Sequence, residues 1–392
     1  MNVLNFLTGL GGFDSSIWGY VLPFLFVLTI VVFFHELGHF LAARACGIKV
    51  DVFSIGFGKE IVGWNDARGT RWKLSWIPLG GYVKFAGDEN VASMADAEAL
   101  EAVPVAERAG LFHFAPLKHR AFVVAAGPFA NFILAIVIFA GIFTFIGQTV
   151  ATPKIDKVQE NSAAAAAGMQ PGDLVIAIDG TAIDTFEDMQ RIVSVAVDQP
   201  LNFTLKRGDK QIELVATPRA TEMTDKFGNT HRQAVLGIVR EAGPDNIRIV
   251  RYNPLVSVWL GVKETWFIVS RTLDYLGGVI SGTEKADQLG GPLRIAQVSG
   301  QVATLGLVAL VNLAALLSVS IGLLNLFPVP LLDGGHLLYY GIEAVRGQPL
   351  AAQSQEIGYR IGLALVMMLM LFSTWNDLVH LQVFAFLSGL FS

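Results

Sequence analysis

Apolar and polar positions divide the 392-residue chain into four long apolar stretches, three of them uncharged, with mixed regions between them. From Ile17 to Phe34 no residue is charged, and apolar character resumes at Phe40, Leu41, Ala42 and Ala43 before Arg44. A helix needs about 20 such residues to cross a hydrocarbon core, so this run predicts a transmembrane segment. A second run spans Ala121 to Gly147, directly after Lys118-His119-Arg120, and a third extends from Val302 to Leu332. A fourth, weaker one lies between Ile357 and Trp375, with Arg360 near its start, where a long side chain reaches the interface. The first run is too long for a signal peptide and no Lys or Arg precedes Arg44, so it is expected to remain as a span.

The regions between the spans carry other periods. Thr70 to Phe85 alternates in places, with Trp72, Leu74 and Trp76 opposite Arg71, Lys73 and Ser75, before Pro78 and Gly80-Gly81; this predicts a β-hairpin. Asp88 to Glu107 is acidic and polar and reads as a loop. Beyond the second span, Lys154–Val158 and Leu174–Ile178 read as strands, Ser162–Gly168 as a short helix and Phe186–Val197 as a longer one. Leu201–Lys206 and Gln211–Ala216 read as a hairpin, and Ala220–Gln233 as a polar loop. Asn253 to Ile280 is amphipathic and spreads Lys263, Glu264 and Arg271 among Trp259, Trp266 and Tyr275, the pattern of an interfacial helix. Four regions follow: a membrane part at 1–150, an α+β domain at 151–242, a connecting region at 243–300 and a second membrane part at 301–392.

Composition sharpens this picture. Charged residues make up 16% of the chain where soluble domains carry about 25%, and the mean hydropathy is +0.53. Net charge is -5 with no basic tract, which argues against a nucleic-acid partner. The single cysteine, Cys46, excludes a disulfide framework and a thiolate metal cluster. Arg44, Lys49, Lys118, Arg120 and Arg346 flank the spans on one side, which the positive-inside rule places in the cytoplasm; the 150–300 region and both termini then face outward.

His35-Glu36-Leu37-Gly38-His39 lies inside the first span. Residues four apart share a helix face, so His35 and His39 can present two imidazoles to one metal, with Glu36 beside them as a base for water. Zinc suits such a donor set, and ionisable groups at membrane depth mark function. A third ligand is sought at similar depth: Asp333 and His336 both follow the helix-breaking Pro328 and Pro330 in Asn325-Leu326-Phe327-Pro328-Val329-Pro330-Leu331-Leu332-Asp333-Gly334-Gly335-His336.

These two segments together resemble the paired signature of site-2 intramembrane metalloproteases, in particular the bacterial regulator of sigma-E protease group. Gly127-Pro128-Phe129-Ala130-Asn131, Gly80-Gly81-Tyr82-Val83 and Gly291-Pro292 extend the resemblance over nearly the whole chain. It implies one zinc per chain on His35, His39 and Asp333, with Glu36 as general base. It also implies substrate contact by Asn325 and by the Gly80, Gly81 and Tyr82 strand. The implied activity is that of a zinc metalloendopeptidase of the bacterial inner membrane, cutting single-pass membrane proteins such as an anti-sigma factor, or signal-peptide remnants. His336 then takes a structural role. Ser162-Ala163-Ala164, Ala167 to Asp173 and Asp179-Gly180 resemble bacterial PDZ domains of envelope proteases, with Leu236-Gly237-Ile238 similar to their carboxylate-binding loop for peptide C-termini. The expected fold class is a polytopic α-helical membrane protein of about four spans, in contact with lipid, with a membrane-associated β-hairpin and one periplasmic PDZ domain. That single PDZ domain departs from the tandem pair of the best-known enterobacterial members. The competing reading is a membrane PDZ receptor whose metal site is vestigial, and metal-dependent cleavage separates the two.

Overall fold

The computed structural model describes residues 18–87, 103–104, 108–224, 230–239, 247–283 and 290–380. The chain divides into two units, Ile142–Asn253 and the remainder. Most of the loop expected at Asp88–Glu107 lies outside the described residues.

Helix α1 (Trp18–Ala45) takes up the first apolar run, with Pro23 near its start and Arg44 in its last turn. It stops where Gly47 adopts φ +74 and the Ile48 amide donates back to Ala43 O at 2.9 Å, a glycine-made C-cap. Two long strands follow, β1 (Val50–Asn65) and β2 (Arg71–Phe85), joined by a turn in which Asp66 accepts the Arg68 and Thr70 amides. The sequence reading placed both arms of a hairpin within Thr70–Phe85; that segment is instead one arm, partnered by Val50–Asn65. Each arm also bends on itself. Val52 to Ile55 pair with Gly81 to Lys84 on one side and with Arg71 to Leu74 on the other, while Val62 to Asn65 pair with Arg71 to Leu74 again. Four segments therefore lie side by side, with Gly81–Phe85 on an outer edge. The bends sit at Gly56 and Gly58, both at φ near +87, and at Gly80, whose φ of +150 suits glycine.

Helix α2 (Leu117–Gly141) lies along α1 and continues through a π-turn at Ile142–Ile146. The approach is close: a Cβ on Gly38 would collide with the Ala126 carbonyl. The bent strands are pinned to these helices by a buried cluster of Phe40, Phe53, Val83, Phe85, Phe112 and Val123. Phe53 is fully buried, with its ring 4.3 Å from that of Trp72 and 5.5 Å from that of Phe40.

The second unit opens and closes with a ribbon, β3 (Gln148–Ala151) pairing antiparallel with a strand near its end, Ile247–Val250. Between them come β4 (Lys157–Val158), α3 (Ala163–Ala166), β5 (Leu174–Ile178), β6 (Thr181–Ala182), α4 (Phe186–Val195), β7 (Leu201–Arg207), β8 (Lys210–Ala216), β9 (Arg219–Thr224), β10 (Thr230–Val235) and β11 (Ile238–Val239). The closing strand is β12 (Ile247–Val250). The four-stranded sheet has order β6-β5-β7-β8. Positive φ at Asp179 and Gly180 makes the tight β5–β6 turn, and Thr185 with Asp188 forms a capping box on α4. Ile155, Val175, Ile178, Met189, Val193, Phe203 and Leu205 form the core, and truncating fully buried Phe203 to alanine costs about 3–5 kcal/mol. The polar loop read at Ala220–Gln233 is instead a hairpin, β9 paired with β10 in register from Arg219↔Val235 to Thr224↔Thr230. Polar side chains hid the strands; Thr221, Thr224 and Thr230 are β-branched and suit extended backbone.

Asp173 is fully buried in this unit and accepts from Arg207 Nε at 2.7 Å, Arg207 Nη2 at 2.8 Å and the Gln170 amide at 2.8 Å. The Arg207 bonds hold its carboxyl below its ordinary range, against the opposing effect of burial. A folded-state pKa below the unfolded one adds stability above roughly pH 4 that is lost as pH falls further. Thermal melts of Asp173→Ala should therefore lie about 5 °C or more below wild type at neutral pH, and the difference should shrink below about pH 4. An unchanged melt at neutral pH contradicts this role.

The membrane unit resumes with α5 (Pro254–Ser281), which packs on α2 through Ser257, Gly261 and Thr265, small residues four apart that bring the backbones together. Helix α6 (Pro292–Ala303), α7 (Leu307–Asn325), α8 (Asp333–Arg346) and α9 (Ala352–His380) complete it. The uncharged run from Val302 to Leu332 is not one element, because Gly306 at φ +104 separates α6 from α7 and the prolines end α7. Among the described residues four helices are long and apolar enough to cross a membrane: α1, α2 extended to Ile146, α7, and 353–379 of α9. Asp377 of α9 is buried and accepts the Gly291 and Arg294 amides at 2.9 and 3.0 Å. It caps α6 from another helix, since Gly291 offers no side chain of its own.

Candidate metal centre

His35 and His39 stand one turn apart on α1. At about 1.5 Å of rise per residue they lie roughly 15 and 9 Å inside the helix end at Ala45. Asp333 reaches them from the first turn of α8. Its loop is folded tightly under that helix: Cβ atoms on Gly334 and Gly335 would collide with the carbonyls of Leu326, Phe327 and Val329. Leu331 takes φ +99, costly for a branched side chain and a sign that its surroundings dictate the backbone there. Arg120 on α2 holds the other part of α8, with Nη1 and Nη2 at 3.2 and 2.5 Å from the Glu343 carboxylate and its guanidinium 5.0 Å from the Tyr340 ring centre.

His35 Nε2 lies 3.1 Å from Asp333 Oδ2, His39 Nε2 lies 3.5 Å from Asp333 Oδ1, and the two Nε2 atoms are 3.3 Å apart. Ligands about 2.1 Å from a tetrahedral zinc stand about 3.4 Å from one another, so the three separations are close to those of that donor set. His39 Nδ1 donates to the Val123 carbonyl at 2.9 Å, which leaves its Nε2 as a lone pair aimed at the other two ligands. Asp333 Oδ2 is buried with no hydrogen-bond partner among the described residues. The His39 lone pair and the unbonded carboxylate oxygen, packed with His35 Nε2 at these separations, favour a cation between them.

These residues share a cavity of about 390 Å³ with Glu36, Tyr82, Val83, Asn325 and His336. Gly81 and Val83 on the outer strand segment lie against Glu36: the Val83 amide reaches its carboxylate, and a Cβ on Gly81 would meet Glu36 Cγ at 3.0 Å. Gly80 does not line the cavity; it makes the bend, with the Phe57 ring against it. His336 lines the cavity, and its Nδ1 faces Tyr359 Oη at 3.4 Å. In the second unit Leu236, Gly237 and Ile238 line a separate groove of about 290 Å³, opposite Phe186, Met189, Gln190 and Val193 of α4. Residue patterns alone did not bring out the carbonyl of Val123 or the amide of Asn131, which face the two imidazoles from α2. The visible hint was an asparagine in an otherwise apolar span.

The sequence profile of the family described as Peptidase family M50 matches residues 23–369. "Putative zinc metalloprotease Atu1380" of Agrobacterium fabrum is 52% identical over 363 residues, covering 93% of this chain and 96% of its own length. "Metalloprotease MmpA" of Caulobacter vibrioides is 41% identical over 390 residues, covering 94% and 97%. Among solved structures, the PDZ domain of an SdrC-like protein from Listeria monocytogenes matches 23% of this chain and 90% of its own, with 23% identity and a TM-score of 0.18. With the family profile spanning most of the sequence and a His-His-Asp site of zinc geometry at its centre, the chain belongs to peptidase family M50, the site-2 protease family of zinc metalloproteases.

Proposed function

We propose that this zinc metalloprotease is an intramembrane endopeptidase of the bacterial inner membrane. It would hydrolyse peptide bonds within the transmembrane segment of single-pass proteins, an anti-sigma factor already cut on its outer side being the expected partner and signal-peptide remnants a further class. The observation that carries this reading is the depth of the ligands: His35 and His39 lie more than a turn inside a helix long and apolar enough to span a bilayer.

Zinc, when bound, supplies Lewis acidity that polarises the scissile carbonyl and acidifies water. Glu36 accepts the proton of the attacking water and returns it to the leaving amine. Asn325, at the end of α7 and on the cavity wall, offers its side-chain amide to the substrate backbone. A transmembrane helix hides its peptide bonds in its own hydrogen-bond ladder and must unwind to be cut. The Gly81–Phe85 segment, an outer edge of the bent strands beside Glu36, supports capture of the unwound stretch by strand addition. Exposed Trp64, Trp76, Ile61 and Ile77 on the same strands suit contact with lipid. The second unit is read as an outward-facing PDZ domain, its groove beside Leu236–Ile238 an acceptor for peptide C-termini that admits substrates after their first cut.

The test is to map the product ends when the purified protein in detergent meets a single-pass substrate with a short outer tail. Cuts are expected inside the apolar segment. Cuts confined to the soluble tails would overturn the intramembrane reading while leaving the protease standing.

A further inference from the structure

We infer that Asn131 is the positioning residue for the zinc ligand His35, acting as the hydrogen-bond acceptor that fixes its ring and tautomer; this rests on the metal centre described above. Asn131 is fully buried on α2, and its side-chain amide lies 3.3 Å from His35 Nδ1. With Nδ2 set toward the ring, Oδ1 is left buried without a partner among the described residues. The oxygen and nitrogen of an asparagine amide have the same shape, so the partner decides which one faces the histidine. Either orientation leaves one amide group unmatched, and the imidazole settles the choice. If Nδ2 donates to Nδ1, the neutral ring must carry its proton on Nε2, 3.1 Å from Asp333 Oδ2 and aimed into the ligand cluster, where it blocks metal binding. If Oδ1 accepts from Nδ1–H, Nε2 is a free lone pair. Only the second arrangement makes His35 a ligand.

The same helix does the same for the other imidazole. Val123 O accepts from His39 Nδ1, and Gly127 lies directly against the His39 ring, where any Cβ would collide with it. Val123, Gly127 and Asn131 recur every four residues and form one stripe along α2. The stripe thus orients one ring, gives it room, and orients the other. Asn131 is itself held in place: Ser318 of α7 donates to its backbone carbonyl at 2.9 Å, and Gly322 leaves space beside its Cβ. The side chain of an ordinary packing residue would need neither the amide nor its direction.

The experiment is zinc affinity of the full chain in detergent, by competition with a fluorescent chelator, with the rate of peptide cleavage as a second readout. Asn131→Leu, which keeps the branched shape and removes the acceptor, should weaken zinc binding about 10–100-fold. Asn131→Asp, which keeps an acceptor oxygen, should bind at least tenfold tighter than Asn131→Leu. Asn131→Ala adds no bulk and should repeat the leucine result if that variant does not fold. Leu134→Ala, a buried packing change on the same helix, should leave zinc affinity unchanged. Wild-type affinity in Asn131→Leu or Asn131→Ala overturns the inference, as does an equal loss in Asn131→Asp and Asn131→Leu. A wild-type protein that binds no zinc overturns the metal centre itself.

Discussion

Replacing Glu36 with glutamine should lower peptide hydrolysis by about 10³-fold or more while the protein keeps its zinc. General-base catalysis contributes about 10²–10⁴, and glutamine preserves shape and hydrogen bonding but cannot take a proton from water. Zinc is retained because the ligand atoms belong to His35, His39 and Asp333, and Glu36 is not among them. Rates from product formation and zinc content measured on the same preparations check both halves. Substantial hydrolysis by a fully zinc-loaded Glu36→Gln protein would remove Glu36 from the base role.

The second large effect is expected at Asp333. Asp333→Ala removes the only charged ligand and leaves two neutral imidazoles on α1, too few to hold a catalytic metal, which takes three protein ligands. Zinc affinity should fall at least 100-fold and hydrolysis should become undetectable at ordinary zinc concentrations. The helices should still form, because α8 is also tied to α2 through Arg120 and Glu343 and its loop is held by backbone packing around Gly334 and Gly335. Chelator competition with the same detergent preparations measures the first effect. Unchanged zinc affinity would exclude Asp333 as a ligand and return attention to His336, which shares the cavity.

Span existence was legible in the residues because it depends on a local quantity, the length of a nearly uncharged run; each of the four helices of spanning length overlaps one of the four runs. The histidine pair was legible for a similar reason, since a four-residue spacing on a helix is enough to put two rings on one face. Between Asp333 and His336 spacing could not choose. The choice depends on a loop whose Gly334, Gly335 and Leu331 conformations turn Asp333 toward α1.

What stayed hidden shares one physical cause, dependence on a partner elsewhere in the chain. Strand β1 carries Gly56, Gly58 and Gly63, which weaken any alternation, and its pairing on two sides is decided by Phe53 packing into the helices. The β9–β10 hairpin is built from Arg, Thr and Glu, residues that read as loop until a partner strand supplies the ladder. Asp377 looks like a stray charge at the end of a span, yet its partners are backbone amides 83 and 86 residues away. Asn131 looks like an interhelical packing residue for the same reason: its partner, His35, is 96 positions distant.

The most direct test of the zinc protease account is metal-dependent cleavage by the purified full chain. Wild-type protein is stripped of zinc, assayed on a single-pass substrate, then assayed again after titration with zinc. Cleavage should disappear on stripping and return in full near one zinc per chain, with His35→Ala and Asp333→Ala failing to recover at that stoichiometry. Cleavage that persists in the stripped protein, or a zinc-replete wild type that cuts none of several such substrates, would contradict the account.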